Sequence, residues 1–296
     1  MKVAIVILNW NDAPSTLTCL ASVKAAISRL RPASAANVII VDNGSTPSLK
    51  ELAPSLNQYS NVTLVESTQN LGFAGGMNKG LETAFKLDPD VVWLLNNDVI
   101  VESNSLAALC DFKFENPDKL CIGVVMVDQA TGKVQTLGGY RYYTMWGLAR
   151  PIGKSLDPAL IPKAQPSMDY VDGAALFLDA TKLREIGGIP TQNFLFYEEL
   201  NLAYALGGKS ALALCADAIV KHKGGVATKK LDLKSKTYFS TLAALRYTQQ
   251  HLRLALPIVF CLRLALAVYR GATTGSAGNL RNVIAAGRDF LSSSKT

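Results

Sequence analysis

The chain has 296 residues, 49% of them apolar and 18% charged, which suffices for a large packed core and is unlike a disordered segment. Its five cysteines are scattered with no C-x-x-C pair, so they read as buried thiols in a reducing compartment and not as a disulfide or zinc framework. The net charge of +7 is uneven: residues 1–208 carry −4 and residues 209–296 carry +11, so the basic character belongs to the tail and its partner should be anionic.

Val3–Leu8 reads as a buried strand, because its apolar run is too short for a membrane helix or a signal segment. The protein is therefore expected in the cytosol, or peripherally on the cytoplasmic face of a membrane. Ser15–Leu30 reads as a helix, Asn37–Val41 as a strand, residues 48–57 as weakly helical and Val62–Val65 as a strand. Ala74–Leu87 is helical despite its glycines, and Val91–Leu95 is a strong strand. A helix over 103–118 and a strand over Ile122–Val127 follow. Residues 134–170, rich in Gly, Tyr and Pro, read as an irregular substrate-facing flap. Val171–Leu178 is a further strand, Asp179–Ile186 a short helix, and Phe194–Leu206 a helix with an acidic start. Short strands are expected at Ala211–Ala213 and Ala218–Val220, then helices over 235–251 and 252–269, a loop over Arg270–Gly278 and a last helix. Strands alternating with helices predict an α/β fold with a mostly parallel sheet, whose ligands bind beyond the carboxyl ends of the strands.

The polar motifs lie at those ends. Asp42-Asn-Gly-Ser45 closes a strand with a carboxylate able to meet a base or ribose, and equally fits a plain Asx turn. Asn70-Leu-Gly-Phe-Ala-Gly-Gly-Met-Asn-Lys-Gly80 surrounds a helix start, where glycines admit a phosphate or ribose to the backbone. Asn96-Asn-Asp98 follows Val91–Leu95 abruptly, and one carboxylate beside amides suits Mg²⁺ or Mn²⁺ held mainly by substrate phosphates. Glu198 and Glu199 are adjacent, so they point in different directions: one can serve as a general base and the other as a positioner. His222, in Lys221-His-Lys-Gly-Gly225, can contact a metal or phosphate, and Asp172 can meet an acceptor hydroxyl. In the tail, lysines including Lys229 and Lys230 precede an apolar run interrupted by Arg253, Arg263 and Arg270. Its longest arginine-free stretch is too short to span a bilayer, which leaves two readings, a lid on the catalytic domain or docking on an anionic membrane surface.

Together, Val6-Ile-Leu-Asn-Trp10, Val41-Asp-Asn-Gly-Ser45, the Asn70–Gly80 run, Leu94-Leu-Asn-Asn-Asp98, Phe196-Tyr-Glu-Glu199 and His222-Lys-Gly-Gly225 resemble the inverting glycosyltransferase family 2, and within it the rhamnosyltransferase-like branch. The resemblance implies a GT-A fold, the Rossmann-like mixed sheet flanked by helices of nucleotide-diphospho-sugar transferases. Here that fold would occupy residues 1–225, with residues 226–296 as a C-terminal helical extension. It implies that Asp42 meets the nucleotide base and Asn97 the ribose, with Asn9, Asn11, Asn70, Gly72 and Asn78 also beside the donor. Asp98 becomes the metal ligand, with His222 near metal and diphosphate. Asp172 lies on the acceptor side, Glu199 is the catalytic base, and Glu198 matches the preceding Glu. Asn201 and Ala205 depart from the usual Asp and Arg.

The implied activity moves rhamnose or another hexose from dTDP-rhamnose or a UDP-sugar to a hydroxyl of a glycan or lipid-linked saccharide, in surface polysaccharide or lipopolysaccharide assembly. The two departures keep open a sugar-nucleotide binder with weak activity or none. A nucleotidyltransferase is disfavoured because residues 9–16 lack Lys and Arg, and a nucleic-acid binder because it leaves the strand-end cluster unexplained.

Overall fold

The computed structural model describes residues 1–54, 56, 60–162, 164–224, 233–274 and 278–293. The expected domain boundary at 225/226, Gly225, and the tail lysines Lys229 and Lys230 lie outside the described residues.

The amino-terminal half builds β1 (Lys2–Asn9), α1 (Ala13–Ile27), β2 (Ala35–Asn43), α2 (Leu49–Leu52), β3 (Val62–Ser67), α3 (Gly72–Ala84), β4 (Val91–Asn96), β5 (Val99–Val101), α4 (Ser105–Glu115) and β6 (Cys121–Asp128). Helix α1 begins where Asp12 accepts a hydrogen bond from the Ser15 amide with Pro14 in the first turn, and it buries Thr16, Cys19, Leu20 and Val23 at helical spacing. Strands β3, β2, β1 and β4 run parallel in that order; β11 (Ala175–Asp179) then pairs antiparallel between β4 and β6, and β12 (Leu212–His222) runs parallel to β6 with β5 on its far side. The sheet is therefore mixed.

Alternation along β1 sends Val3, Ile5 and Ile7 to one face, where α1 and α4 cover them, and Ala4 and Val6 to the other, beneath α3. In β4 the same alternation separates Val91, Trp93 and Leu95 from Val92 and Leu94. Trp93 is fully buried and meets Phe177 edge-on at 6.3 Å, so cutting it to Ala should cost about 3–5 kcal/mol. The glycines of α3 serve the same packing. A Cβ at Gly80 would collide with Val6 and Val41, and one at Gly76 with Leu8 and Asn43. Of that glycine-rich run, Gly72 is the glycine that faces a cavity.

Residues 134–170 are more regular than their composition suggests. β7 (Val134–Leu137) adds to β6, and β8 (Gly139–Tyr143), β9 (Leu148–Pro151) and β10 (Tyr170–Val171) form a separate antiparallel sheet. The strand expected over Val171–Leu178 is two, β10 and β11, broken at Asp172–Ala174. Those residues leave the ladder to line the site. The two strands expected near Ala213 and Val220 are one, β12, with a bulge between Cys215 and Ile219.

Helix α5 (Ala180–Glu185) follows β11, and α6 (Glu198–Ala205) starts four residues later than its sequence suggests. The carboxyl-terminal helices are α7 (Leu233–His251), α8 (Leu256–Thr274) and α9 (Gly278–Ser293), so α8 extends past Arg270 into the expected loop. They share a core of Leu242, Leu245, Val259, Ala286 and Phe290, and Tyr247 of α7 packs with Tyr142 and Leu200 of the sheet-bearing part. Arg253–Thr273 is long and apolar enough to cross a membrane, with a mean hydropathy of 1.7, so its length does not exclude a span. Within it, Arg263 is tied inward to the Tyr197 hydroxyl at 3.0 Å and the Gly147 carbonyl at 3.2 Å.

Candidate active site

Three neighbouring parallel strands end together, with Asn9 of β1 in register with Asp42 of β2 and Leu8 with Asn96 of β4. Their polar ends are wired to one another. Asn9, 1% exposed, donates to the Asp42 carboxylate and to Ser45 Oγ, both at 3.0 Å, and accepts from Thr16 at 2.7 Å. The other Asp42 oxygen accepts from the Leu49 amide at 2.6 Å, which anchors α2. Asn97 donates to Thr16 Oγ1 at 3.0 Å and to the Asp12 carbonyl at 3.2 Å. Asn11, at a φ of 53°, accepts from the Thr46 amide at 2.8 Å. Asn78 brackets Ile189, donating to its carbonyl and accepting from its amide, both at 2.8 Å. Among the residues read as donor contacts, Asn9, Asn11, Asp42 and Asn78 thus lie in framework bonds outside the cavity lining, whereas Asn70, Gly72 and Asn97 line it.

That first cavity, about 270 Å³, lies beyond β1 and β4 and is also walled by Trp10, Asp98 and His222. Asn43 shapes its rim: its amide group donates to Asn70 Oδ1 and the Gly72 carbonyl, and accepts from the Leu71 amide. Gly72, at a φ of +74°, is pressed against the Phe194 carbonyl, so any side chain there would close this edge.

Asp98 and His222 arrive from β4's end and β12's end. Asp98 Oδ1 stands 3.3 Å from the buried His222 Nε2 and is its charge partner when the ring is protonated. The opposite ring nitrogen, Nδ1, is 3.0 Å from Gln135 Oε1, a contact that orients the ring and leaves Nε2 on the Asp98 side. Burial lowers the His222 pKa, but the carboxylates of Asp98, Asp172 and Asp128 outweigh it and leave the value raised. A carboxylate oxygen beside an imidazole nitrogen is a donor set that fits Mg²⁺ or Mn²⁺ once the imidazole is neutral. Among the described residues no group of three or more His, Cys, Asp and Glu side chains gathers for a metal, so the two would hold an ion whose other ligands come from the substrate.

Phe196 and Tyr197 carry φ values of 75° and 70°, a conformation costly for bulky residues, at roughly 1–3 kcal/mol each. It is held because the Tyr197 hydroxyl accepts from Arg263 and is within 3.3 Å of the Gly147 carbonyl. The kink starts α6 abruptly and aims its first two side chains at the site. Glu198 is 2% exposed with an unpartnered Oε1; burial first, then the charge of Glu199, pushes its pKa well above the usual carboxylate range. Glu199 is pushed up to about 7, by burial and by Asp172. Its carboxylate lies over Gly173, where a Cβ would overlap Oε1. Asp172 accepts from the Tyr140 hydroxyl at 3.1 Å and from the Ala174 amide at 3.0 Å.

A second cavity, about 380 Å³, opens on the other side of Glu199, between the β8–β9–β10 sheet and helices α7–α9. Asp172, Gly173, Phe196 and Glu199 line both cavities, whereas Asp98 and His222 line only the first. Tyr140 and Tyr170 stack within the second at 5.0 Å. The sequence reading missed Gln135, the tyrosines and Arg263. Gln135 lies in the turn-rich segment 134–170, and in sequence Arg263 is one interruption of an apolar run.

The fold is similar to solved glycosyltransferase structures. Staphylococcus aureus TarS residues 1–349 in complex with UDP-GlcNAc superposes with a TM-score of 0.61 at 13% identity over 98% of this chain and 81% of that one. The mannosyltransferase PcManGT of Pyrobaculum calidifontis, in complex with GDP-Man and Mn²⁺, gives 0.54 at 16% identity over 98% and 86%. GalNAc-T7 with UDP, GalNAc and Mn²⁺ gives 0.54 at 15% identity over 75% of this chain, which spans only 44% of that one. No curated protein matches the sequence. The profile of glycosyl transferase family 2 matches residues 4–160, more than half of the chain. Sequence profile and fold agree, and the chain belongs to glycosyl transferase family 2.

Proposed function

We propose that this chain is an inverting glycosyltransferase that moves a hexose from a nucleoside diphosphate to a hydroxyl of a glycan or lipid-linked glycan. The observation that carries the reading is the position of Glu199, a half-buried carboxylate between two cavities, only one of which contains Asp98 and His222. The nucleoside diphosphate sugar occupies the first cavity, where Asp98 and His222 would hold Mg²⁺ or Mn²⁺; the ion would supply positive charge to the leaving diphosphate.

The acceptor hydroxyl enters from the second cavity. Glu199 takes its proton, the oxygen bonds to the anomeric carbon, and the bond to the diphosphate breaks with its electron pair on the leaving group. Attack from one cavity and departure into the other invert the anomeric centre. Glu198, whose carboxyl burial and the neighbouring Glu199 charge push well above the usual carboxylate range, lines the same cavity. Asn9, Asp42 and Asn97 hold the strand ends in place, a supporting role for residues the resemblance puts beside the nucleotide. Rhamnose from a dTDP donor and a hexose from a UDP donor both satisfy this chemistry.

Helix α8 presents an outward stripe of Ile258, Cys261, Ala265, Val268 and Tyr269, preceded by Leu254 at 90% exposure, with Arg253 and Arg270 at its ends. This stripe supports peripheral docking on an anionic cytoplasmic leaflet, and so a lipid-linked acceptor.

Exchange of Glu199→Gln tests the reaction. Sugar transfer should fall by about 10²–10⁴-fold; turnover within twofold of the parent would remove Glu199 as base.

A further inference from the structure

Helix α8 turns Val259, Arg263 and Ala267 inward at four-residue spacing, opposite its exposed apolar face, with Val259 and Ala267 buried and Arg263 half-buried between them. An arginine in that stripe is costly unless its charge is answered. Arg263 donates to Ser240 Oγ at 3.2 Å, to the Gly147 carbonyl at 3.2 Å and to the Tyr197 hydroxyl at 3.0 Å, all neutral oxygens. Its Nε hydrogen is buried without a partner, and among the described residues no carboxylate forms an ion pair with it.

Two further polar groups lining the second cavity are spare. Thr241 of α7 is 0% exposed and its hydroxyl has no partner. Asn279 of α9 is 2% exposed; its Oδ1 accepts from Thr237 at 3.2 Å, and its Nδ2 group has no partner. Each tail helix thus brings one such group to the lining of this cavity, and all three can donate a hydrogen bond. A ligand completing them must bring acceptor oxygens and negative charge. Toward β8–β10 the same cavity presents the stacked Tyr140 and Tyr170, a surface suited to a sugar ring, and then Glu199.

We infer that the second cavity is an acceptor subsite for a saccharide bearing an anionic group, phosphate or carboxylate, gripped by Arg263 with Thr241 and Asn279 while the reacting hydroxyl reaches Glu199. The reading rests on the acceptor side assigned above. It makes the tail part of the active site, selecting the acceptor by charge. A soluble anionic glycan and a lipid-linked saccharide diphosphate share this chemistry.

Calorimetric titration of the Asp98→Ala protein without divalent metal removes the first cavity's contribution. The probes are α-D-glucose 1-phosphate, the methyl glycoside of glucuronic acid, methyl α-D-glucoside, and glucosyl dodecyl diphosphate in neutral micelles. At least one charged saccharide should bind about tenfold or more tightly than methyl α-D-glucoside. Arg263→Gln should abolish that preference, and Thr241→Val should weaken the charged probe several-fold without lowering Tm. Strongest binding of the dodecyl diphosphate marks a lipid-linked acceptor, and equal binding of glucose 1-phosphate a soluble one; both support the subsite. Equal affinity for charged and neutral probes, no binding of any probe, or an unchanged preference in the Arg263 and Thr241 variants overturns it. Because no nucleotide or turnover enters, failure of the donor assignment leaves this result unaffected.

Discussion

The two cavities that meet at Glu199 are built differently. The first sits on the ends of parallel strands, and its walls are short sequence motifs: Asn70 to Gly72, Asn97 to Asp98, and His222. The second is assembled from three short antiparallel strands and three tail helices, so its wall draws single residues from positions more than a hundred apart. Strand ends of a shared sheet are fixed by backbone pairing, which makes the first cavity a rigid donor platform. Side chains across a helix interface decide the second, which leaves it free to suit a particular acceptor.

The contrast can be broken most sharply at the shared wall. Gly173→Ala places a Cβ on the Glu199 carboxylate, so turnover should fall by about 10²-fold, with nucleotide affinity in the first cavity unchanged. Loss of nucleotide binding in that variant would mean the cavities are not separable. Next comes the support behind His222. Gln135→Leu frees Nδ1 and should weaken Mn²⁺-dependent nucleotide binding by roughly 10-fold or more, leaving metal-free binding of sugar phosphates intact. An unaltered Mn²⁺ titration would sink the orientation argument.

The pH profile is a smaller effect. As a base Glu199 works ionised, so kcat/KM should rise with pH to a plateau above about 7 and drop about tenfold per unit below it. Stability runs the other way. The folded protein holds the Glu199 proton more tightly than the ordinary value of 4.5, so its contribution is whole below that value and lost as pH rises to about 7; Glu198 acts in the same direction. A turnover midpoint near 4.5 would contradict the burial of the base. Smallest is the outer stripe of α8: Leu254→Ser with Val268→Ser should reduce sedimentation with phosphatidylserine vesicles several-fold and leave transfer to a soluble acceptor unchanged.

The order of strands and the motifs at their ends were legible because each is local. Val91–Leu95 followed by Asn96-Asn-Asp98 announces a buried strand with a polar mouth. What the sequence hid is tertiary. Nothing local separates Asp42, whose oxygens are taken by Asn9 and Leu49, from Asp98, which lines the cavity beside His222. The glycines of α3 looked like ligand approaches, but Gly76 and Gly80 answer Leu8, Val6 and Val41 across the sheet. Residues 134–170 carried turn-rich composition that masked four strands, since β7, β8, β9 and β10 are only four, five, four and two residues long. Arg263 resembled Arg253 and Arg270 in sequence, and only the helical register of α8 turns it inward.

The central claim is that the strand-end cavity binds a nucleoside diphosphate through a metal held at Asp98 and His222. Calorimetric titration of UDP, dTDP and GDP, with and without Mn²⁺, against the parent and Asp98→Ala proteins tests it directly. The account predicts that one nucleotide binds tightly only with Mn²⁺, and that Asp98→Ala abolishes the Mn²⁺ enhancement. Binding of no nucleotide, or Mn²⁺ enhancement that survives the loss of Asp98, would contradict it.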